Sequence, residues 1–132
     1  MDDSQADEFL TREYKRRRVA QHGVGRGTPM GLYYPPIRSM QCYDGFSFSL
    51  QAGEMHYCSP KKWDPPVWTE WEVGYPSAPD PKLEPWAEDP SSLTNTVYAM
   101  VPSSVIAEII EAHGGLMDRD PLDELRSRVS ER

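Results

Sequence analysis

Long apolar runs are missing from this sequence, and cysteine is scarce. No apolar segment approaches the roughly 18 residues that a membrane-spanning helix needs. The first residues, Met1-Asp2-Asp3-Ser4, are acidic where a secretory signal is basic, and no apolar segment follows them. We therefore expect a cytoplasmic protein without membrane contact, in which the two cysteines, Cys42 and Cys58, stay reduced.

Basic residues are also scarce over most of the chain. The net charge is −7, and residues 40–117 carry three lysines against eleven acidic residues. Such a body repels phosphate, which argues against generic nucleic-acid binding. The exception is the basic cluster that includes Arg16, Arg17 and Arg18, which could contact nucleic acid or an acidic protein surface. An ordinary solvated helix end is a second interpretation of this cluster, and a third is that the arm folds back on the acidic body of its own or a neighbouring chain.

The N-terminal residues predict a helix at 4–21. Ser4 can cap it, acidic residues occupy its first turn and the basic cluster lies near its end, an order that suits the helix dipole. Few apolar residues are available to bury it, so we expect an arm that becomes ordered against a partner. Residues 22–39 are rich in glycine and proline and predict a linker. The chain is thus divided into an arm with its linker at 1–39 and one compact domain at 40–132.

The compact domain is predicted to have an α+β fold. Alternating apolar and polar residues between turn signals predict short strands. They are 40–43, 46–51, 54–58, 67–75 and 96–101. We expect four or five strands to form a small antiparallel sheet.

Two helices are predicted in the C-terminal part. The first spans 103–113, is capped by Ser103 or Ser104 and ends at two glycines. Its residues at positions i, i+3, i+4 and i+7 form a stripe that would pack on one face of the sheet. The stripe is Ile106, Ile109, Ile110 and His113. A last short helix begins at Asp120.

Cys42, His56 and Cys58 are the candidates for metal binding or catalysis, because cysteine and histidine together suit zinc. No Cys-x-x-Cys pair is present, and a fourth ligand would have to come from a distant residue such as His113. A cysteine nucleophile activated by histidine is the other hypothesis, but neither cysteine lies in a nucleophile turn. We therefore expect two buried thiols, no metal, no cofactor and no enzymatic activity.

The acidic stretch from residue 63 to residue 89 holds all four tryptophans. In the predicted strand 67–75, Trp71 faces the core, while Trp68 lies on the opposite face beside acidic residues. Exposed tryptophan is typical of binding hot spots, and aromatic rings beside carboxylates suit a basic partner. The predicted contact residues are Trp68, Glu70, Glu72, Glu84, Trp86, Glu88 and Asp89. A small hydrophobic cluster beneath a long loop is the alternative.

The order of several motifs resembles that of small accessory proteins encoded by tailed phages and prophages. The motifs are DGFSFS (44–49), HYCSP (56–60), EVGYPS (72–77), VYAMVP (97–102) and HGG (113–115). The resemblance covers a little over half the chain and implies a protein of the host cytoplasm that binds and inhibits a host factor. Defence complexes are one such target, as in anti-CRISPR proteins, where an acidic body can mimic DNA in a basic groove.

These observations together predict a non-enzymatic binding protein whose partner is a host protein with a basic surface. A small-molecule binder that recognises a nucleotide signal is a second hypothesis, with tryptophan and tyrosine stacking on the base and the arginines at 16–18 or Arg26 meeting the phosphate. A structural component of the virion is a third. A homodimer is compatible with each of them.

Overall fold

The computed structural model describes residues 1–22 and 36–117. It contains two α-helices, four strands and one turn of 3-10 helix. In chain order these are α1 (Asp3–His22), β1 (Met40–Gln41), β2 (Ser47–Gln51), β3 (Glu70–Gly74), the 3-10 turn (Glu84–Trp86), β4 (Val97–Pro102) and α2 (Ser103–Ala112). Most of the predicted linker and all of the predicted last helix lie outside the described residues.

The four strands form one antiparallel sheet in the order β1-β2-β3-β4. Together with the helices, this sheet confirms the predicted α+β class. Alternation places Phe48 and Leu50 of β2 in the core, and Trp71 and Val73 of β3 are buried in the same way. A register shift between Trp71 and Val73 interrupts the pairing of β3 with β4.

The predicted strand at 54–58 does not form. The chain turns at Gly53, whose φ is +146°, and residues 54–57 then continue as turns and bends. The Cys58 thiol then bonds back to the Gly53 backbone, donating to its carbonyl at 3.2 Å. Only the next residue, Ser59, makes a single bridge to β3, opposite Glu70. Local hydrogen bonds of this kind compete with strand pairing.

The N-terminal helix α1 packs into the same core as the sheet, contrary to the expectation of an arm with too few apolar residues to be buried. Leu10 is 0% exposed and Tyr14 is 4% exposed, and both belong to the hydrophobic cluster that includes Trp68 and Trp71. The Tyr14 hydroxyl donates to the Ala52 carbonyl at 3.0 Å. Polar groups with internal partners thus help to bury a helix whose apolar stripe is narrow.

Helix α2 follows β4 directly and contributes Ile106, Ile109 and Ile110 to the core, which confirms the predicted stripe for these three residues. His113, its fourth predicted member, follows the last residue of α2 and is half-buried. Its cap differs from the prediction, because Pro102 is the capping residue and makes no side-chain hydrogen bond. The Ser103 hydroxyl is used elsewhere and accepts a hydrogen bond of 2.8 Å from the Trp71 indole. No helix in residues 1–22 or 36–117 is long and apolar enough to cross a membrane.

Shortening Leu10 to alanine tests whether α1 is part of the core. We expect Leu10→Ala to lower the free energy of unfolding by about 2–5 kcal/mol, because it leaves a cavity under the helix. Arg12→Ala is the matched control, since Arg12 is exposed on the same helix and should change stability by less than about 0.5 kcal/mol. Urea unfolding followed by tryptophan fluorescence measures both. Equal effects of the two substitutions would contradict the packing of α1.

Candidate binding surface

The basic cluster of α1 is directed into the molecule. The side chains of Arg17 and Arg18 are only 3% and 7% exposed. Arg18 lies 3.9 Å over the Trp63 ring and donates to the Trp63 carbonyl at 2.8 Å. The Asp64 carboxylate forms ion pairs with both Arg18, at 3.2 Å, and Lys15, at 3.0 Å. The Lys15 hydrogen bond is the main reason why the pKa of Asp64 is lowered.

Arg16 is the most exposed of the three predicted arginines, at 45%, and it pairs with Glu13 at 2.9 Å. Arg17 also approaches Glu13 and donates to the Met117 carbonyl. The expectation of a solvated basic patch at the end of α1 is therefore wrong for Arg17 and Arg18, and the alternative that the arm folds back on the body of its own chain describes them. Their charges stabilise the packing of α1 and are not available to a phosphate.

Trp68 is fully buried, so the expectation that it lies on an exposed acidic face is wrong. Because β3 begins only at Glu70, strand alternation does not determine the direction of Trp68. Its ring packs against Tyr14 and Trp71, with centroid distances of 5.4 Å to each. Its backbone N–H donates to the Thr11 hydroxyl at 3.0 Å. Trp68 is thus a core residue that joins α1 to the sheet.

The two predicted acidic residues of β3, Glu70 and Glu72, lie on the face opposite Trp71 and are half-buried. Glu72 is already engaged, because its carboxylate lies 2.8 Å from Nδ1 of His56. Among the predicted contact residues, Glu72 therefore already has a partner in its own chain.

The loop between β3 and β4 has a defined conformation. Leu83 is 1% exposed and belongs to the core, and Ala87 forms a bridge with Tyr98 of β4. Trp86 is half-buried and packs against the core cluster. The alternative interpretation of a hydrophobic cluster beneath the loop therefore describes Trp86 better than the expectation of a freely exposed ring does.

Glu84, Glu88 and Asp89 are exposed on this loop, and we call them the acidic loop. Within the described residues, no ion pair joins any of them to a basic side chain. Asp89 accepts hydrogen bonds from the Ser91 hydroxyl, at 2.6 Å, and from the Ser91 backbone N–H. These bonds lower the pKa of Asp89, the hydroxyl making the larger contribution. The acidic loop can therefore present negative charge on a fixed backbone, an arrangement that suits a basic protein surface.

The metal and nucleophile hypotheses for Cys42, His56 and Cys58 gain no geometric support. Both cysteines are buried and free, and His56 is directed to Glu72. No group of three or more histidine, cysteine or acidic side chains in residues 1–22 and 36–117 is arranged to hold a metal ion. Burial raises the pKa of Cys42 to about 11, and burial is also the main reason why the pKa of Cys58 is raised.

His113 joins three parts of the chain, a role that the sequence analysis missed. Nδ1 lies 2.7 Å from an oxygen of Asp44, in the turn after β1, and Nε2 lies 3.0 Å from an oxygen of Asp80, in the long loop. The ring also stacks on Phe46 at a centroid distance of 4.0 Å. Because carboxylates only accept, both ring nitrogens can donate only when the imidazole is protonated.

The electrostatics of this Asp44–His113–Asp80 bridge follow from its geometry. The pKa of His113 is raised, chiefly by the hydrogen bond to Asp80, and the pKa of Asp44 is lowered, chiefly by the Phe46 backbone N–H. One sequence signal was available, namely a histidine in the last turn of a helix, where a cation is favoured. Asp80 is 33 positions from His113 in the sequence and Asp44 is 69 positions from it, so only the fold brings the two carboxylates to the ring.

Comparison with known proteins identifies no relative. No protein-family model matches the sequence, and searches of the curated proteins and of the solved structures found no significant match.

Thiol labelling tests the conclusion that the cysteines are structural. At neutral pH we expect the folded protein to react with a thiol reagent far more slowly than the unfolded chain does, because both thiols are buried and their pKa values are raised. In the unfolded chain both cysteines should react quickly with the reagent, and this reaction serves as the control. Rapid labelling of either cysteine in the folded protein would contradict this conclusion and support the hypothesis of a catalytic cysteine.

The His113 bridge predicts a pH-dependent stability. The pKa of His113 is raised above its ordinary 6.5. The stability that the protonated ring contributes to the fold is therefore complete below about pH 6.5 and is lost as the pH rises through the pKa of the folded state. The pKa of Asp44 is lowered, so the stability that its carboxylate contributes to the fold is present above about pH 4 and is lost as the pH falls.

Asp80→Asn is the sharpest variant for this bridge, because asparagine can still accept the Lys82 backbone N–H while no longer pairing with the imidazolium. We expect it to lower the free energy of unfolding by about 1–3 kcal/mol near pH 5.5 and by clearly less near pH 8.5. Glu111→Gln is the control, since this exposed carboxylate is close in sequence to His113 and should matter little at either pH. Chemical unfolding of the variants at the two pH values measures these differences. An equal loss of stability in Asp80→Asn at both pH values would refute the bridge.

Proposed function

We propose that this is a non-enzymatic binding protein that engages a host protein through its acidic loop, as a phage-type accessory protein or inhibitor acting in the host cytoplasm would. The observation that carries the proposal is that basic and acidic side chains differ in their exposure and in their partners. The cations near the end of α1, Lys15 to Arg18, are bonded to Glu13, Asp64 and backbone carbonyls, whereas Glu84, Glu88 and Asp89 are exposed. The surface that the acidic loop offers to a partner is therefore negative.

A basic protein surface is the partner that this chemistry favours. An exposed carboxylate is attracted to lysine and arginine, and the attraction guides encounter and weakens as salt is added. The anchored loop also limits the entropy lost on binding, because Leu83 and the Ala87–Tyr98 bridge already hold its backbone. A basic groove of a defence complex such as a CRISPR effector belongs to this class of partner.

The nucleotide hypothesis is weakened by the positions of its proposed residues. Of the arginines expected to meet phosphate, Arg17 and Arg18 are only 3% and 7% exposed, and Arg16 is 45% exposed but pairs with Glu13. Arg26 lies outside the described residues. Trp68, one of the rings available for stacking on a base, is 0% exposed. The structural-component hypothesis gains no specific support from these contacts. Binding through the acidic loop therefore remains the proposal that accounts for most of the observations.

Capture from a bacterial lysate, with mass spectrometry of the retained proteins, tests this proposal. We expect a basic partner to be retained at about 0.1 M salt and lost at about 1 M salt. Glu88→Lys should abolish the capture, because it reverses an exposed charge of the acidic loop. Glu8→Lys is the matched control, since it makes the same change at an exposed position of α1. Retention that is insensitive to both salt and Glu88→Lys would refute the proposed surface.

A further inference from the structure

A second surface lies between the two helices, and none of its lining residues belongs to the acidic loop. It is a groove of about 760 Å³ lined by residues of α1, of α2 and of the segment that follows α2. Phe9, Ala107, Ile110 and Leu116 give it apolar surface. None of the hydrogen bonds of the Asp44–His113–Asp80 bridge involves these four side chains.

The charge around the groove is mainly negative. Asp3, Glu108 and Glu111 line it and are exposed, and the one positive group among its described lining residues is the α-amino group of Met1. No ion pair within the described residues neutralises these three carboxylates. An occupant must therefore combine apolar side chains for the groove with positive charge for its acidic margin.

Three classes of occupant can be compared on this basis. A nucleotide brings phosphates, which the three carboxylates repel. A second copy of this chain brings a net charge of −7 to the same acidic margin. A protein segment that forms an amphipathic helix can place an apolar stripe in a groove between two helices and surround it with lysine or arginine. Only this last class satisfies both properties of the lining.

We propose that the groove between α1 and α2 binds a basic amphipathic helix of the partner protein. The inference rests on the proposed function, because it assigns a second contact to the same class of partner. It adds the form of the recognised segment. Apolar residues at helical spacing would contact Phe9, Ala107 and Ile110, and flanking lysine or arginine residues would pair with Glu108 and Glu111. The two surfaces can be disrupted separately, since none of these residues belongs to the acidic loop.

Binding of two synthetic peptides to the full chain, measured by fluorescence anisotropy, tests the inference. Both peptides carry leucine at helical spacing, and they differ only in having lysine or glutamate at the flanking positions. We expect the lysine peptide to bind at least about tenfold more tightly. Absence of binding, or equal binding of the two peptides, would overturn the inference.

Two variants separate this surface from the acidic loop. The double variant Glu108→Lys and Glu111→Lys should weaken binding of the lysine peptide by about tenfold, whereas Glu88→Lys should leave it within about twofold. If Glu88→Lys weakens the peptide as much, attraction is general and the groove is not the site. If the double variant changes the sedimentation of the protein alone, copies of this chain occupy the groove and the inference is wrong.

If peptide binding fails while Glu88→Lys still abolishes capture from the lysate, the groove inference falls and the proposed function stands. If the peptide binds as expected while capture is unaffected by Glu88→Lys, the acidic loop is wrong and the groove is retained. Circular dichroism of each variant confirms that the fold is intact before either result is interpreted.

Discussion

The side chains of Tyr14 and Arg18 attach α1 to the segment that leads into β3, and the rest of the structure depends on this attachment. Tyr14 packs against Trp68 and Trp71 at 5.4 and 5.5 Å. Arg18 covers Trp63 and pairs with Asp64. Cation–π contact and charge-assisted hydrogen bonds compensate the desolvation of a guanidinium that is almost fully buried. Without α1, the Trp68 ring that it covers would face solvent.

This attachment also determines the charge of the surface. The cations near the end of α1 are bonded to Asp64, Glu13 or backbone carbonyls, so they do not balance the acidic residues elsewhere. The acidic loop keeps its shape because Leu83 enters the core and Asp80 is held by His113. Packing, the His113 bridge and surface charge are therefore coupled.

Local patterns in the sequence predicted much of the fold. The alternation in 46–51 correctly placed Phe48 and Leu50 in the core, and the stripe of α2 was found because its isoleucines follow the helical period. Trp68 was misplaced because the alternation was extended beyond the first residue of β3, where the backbone no longer follows the strand. A pattern is informative only over the residues that adopt the corresponding structure.

The misinterpretation of α1 has a different cause. Apolar residues alone could not explain its burial, because Thr11, Arg17 and Arg18 are buried through hydrogen bonds and contacts with aromatic rings. Hydropathy treats these side chains as solvent-facing, and their partners are distant in sequence. Hydrogen exchange of the full chain tests this attachment most directly. The account predicts that the amides of residues 8–18 exchange as slowly as those of β3, through unfolding of the whole molecule. Fast exchange in α1 beside a protected sheet would contradict it.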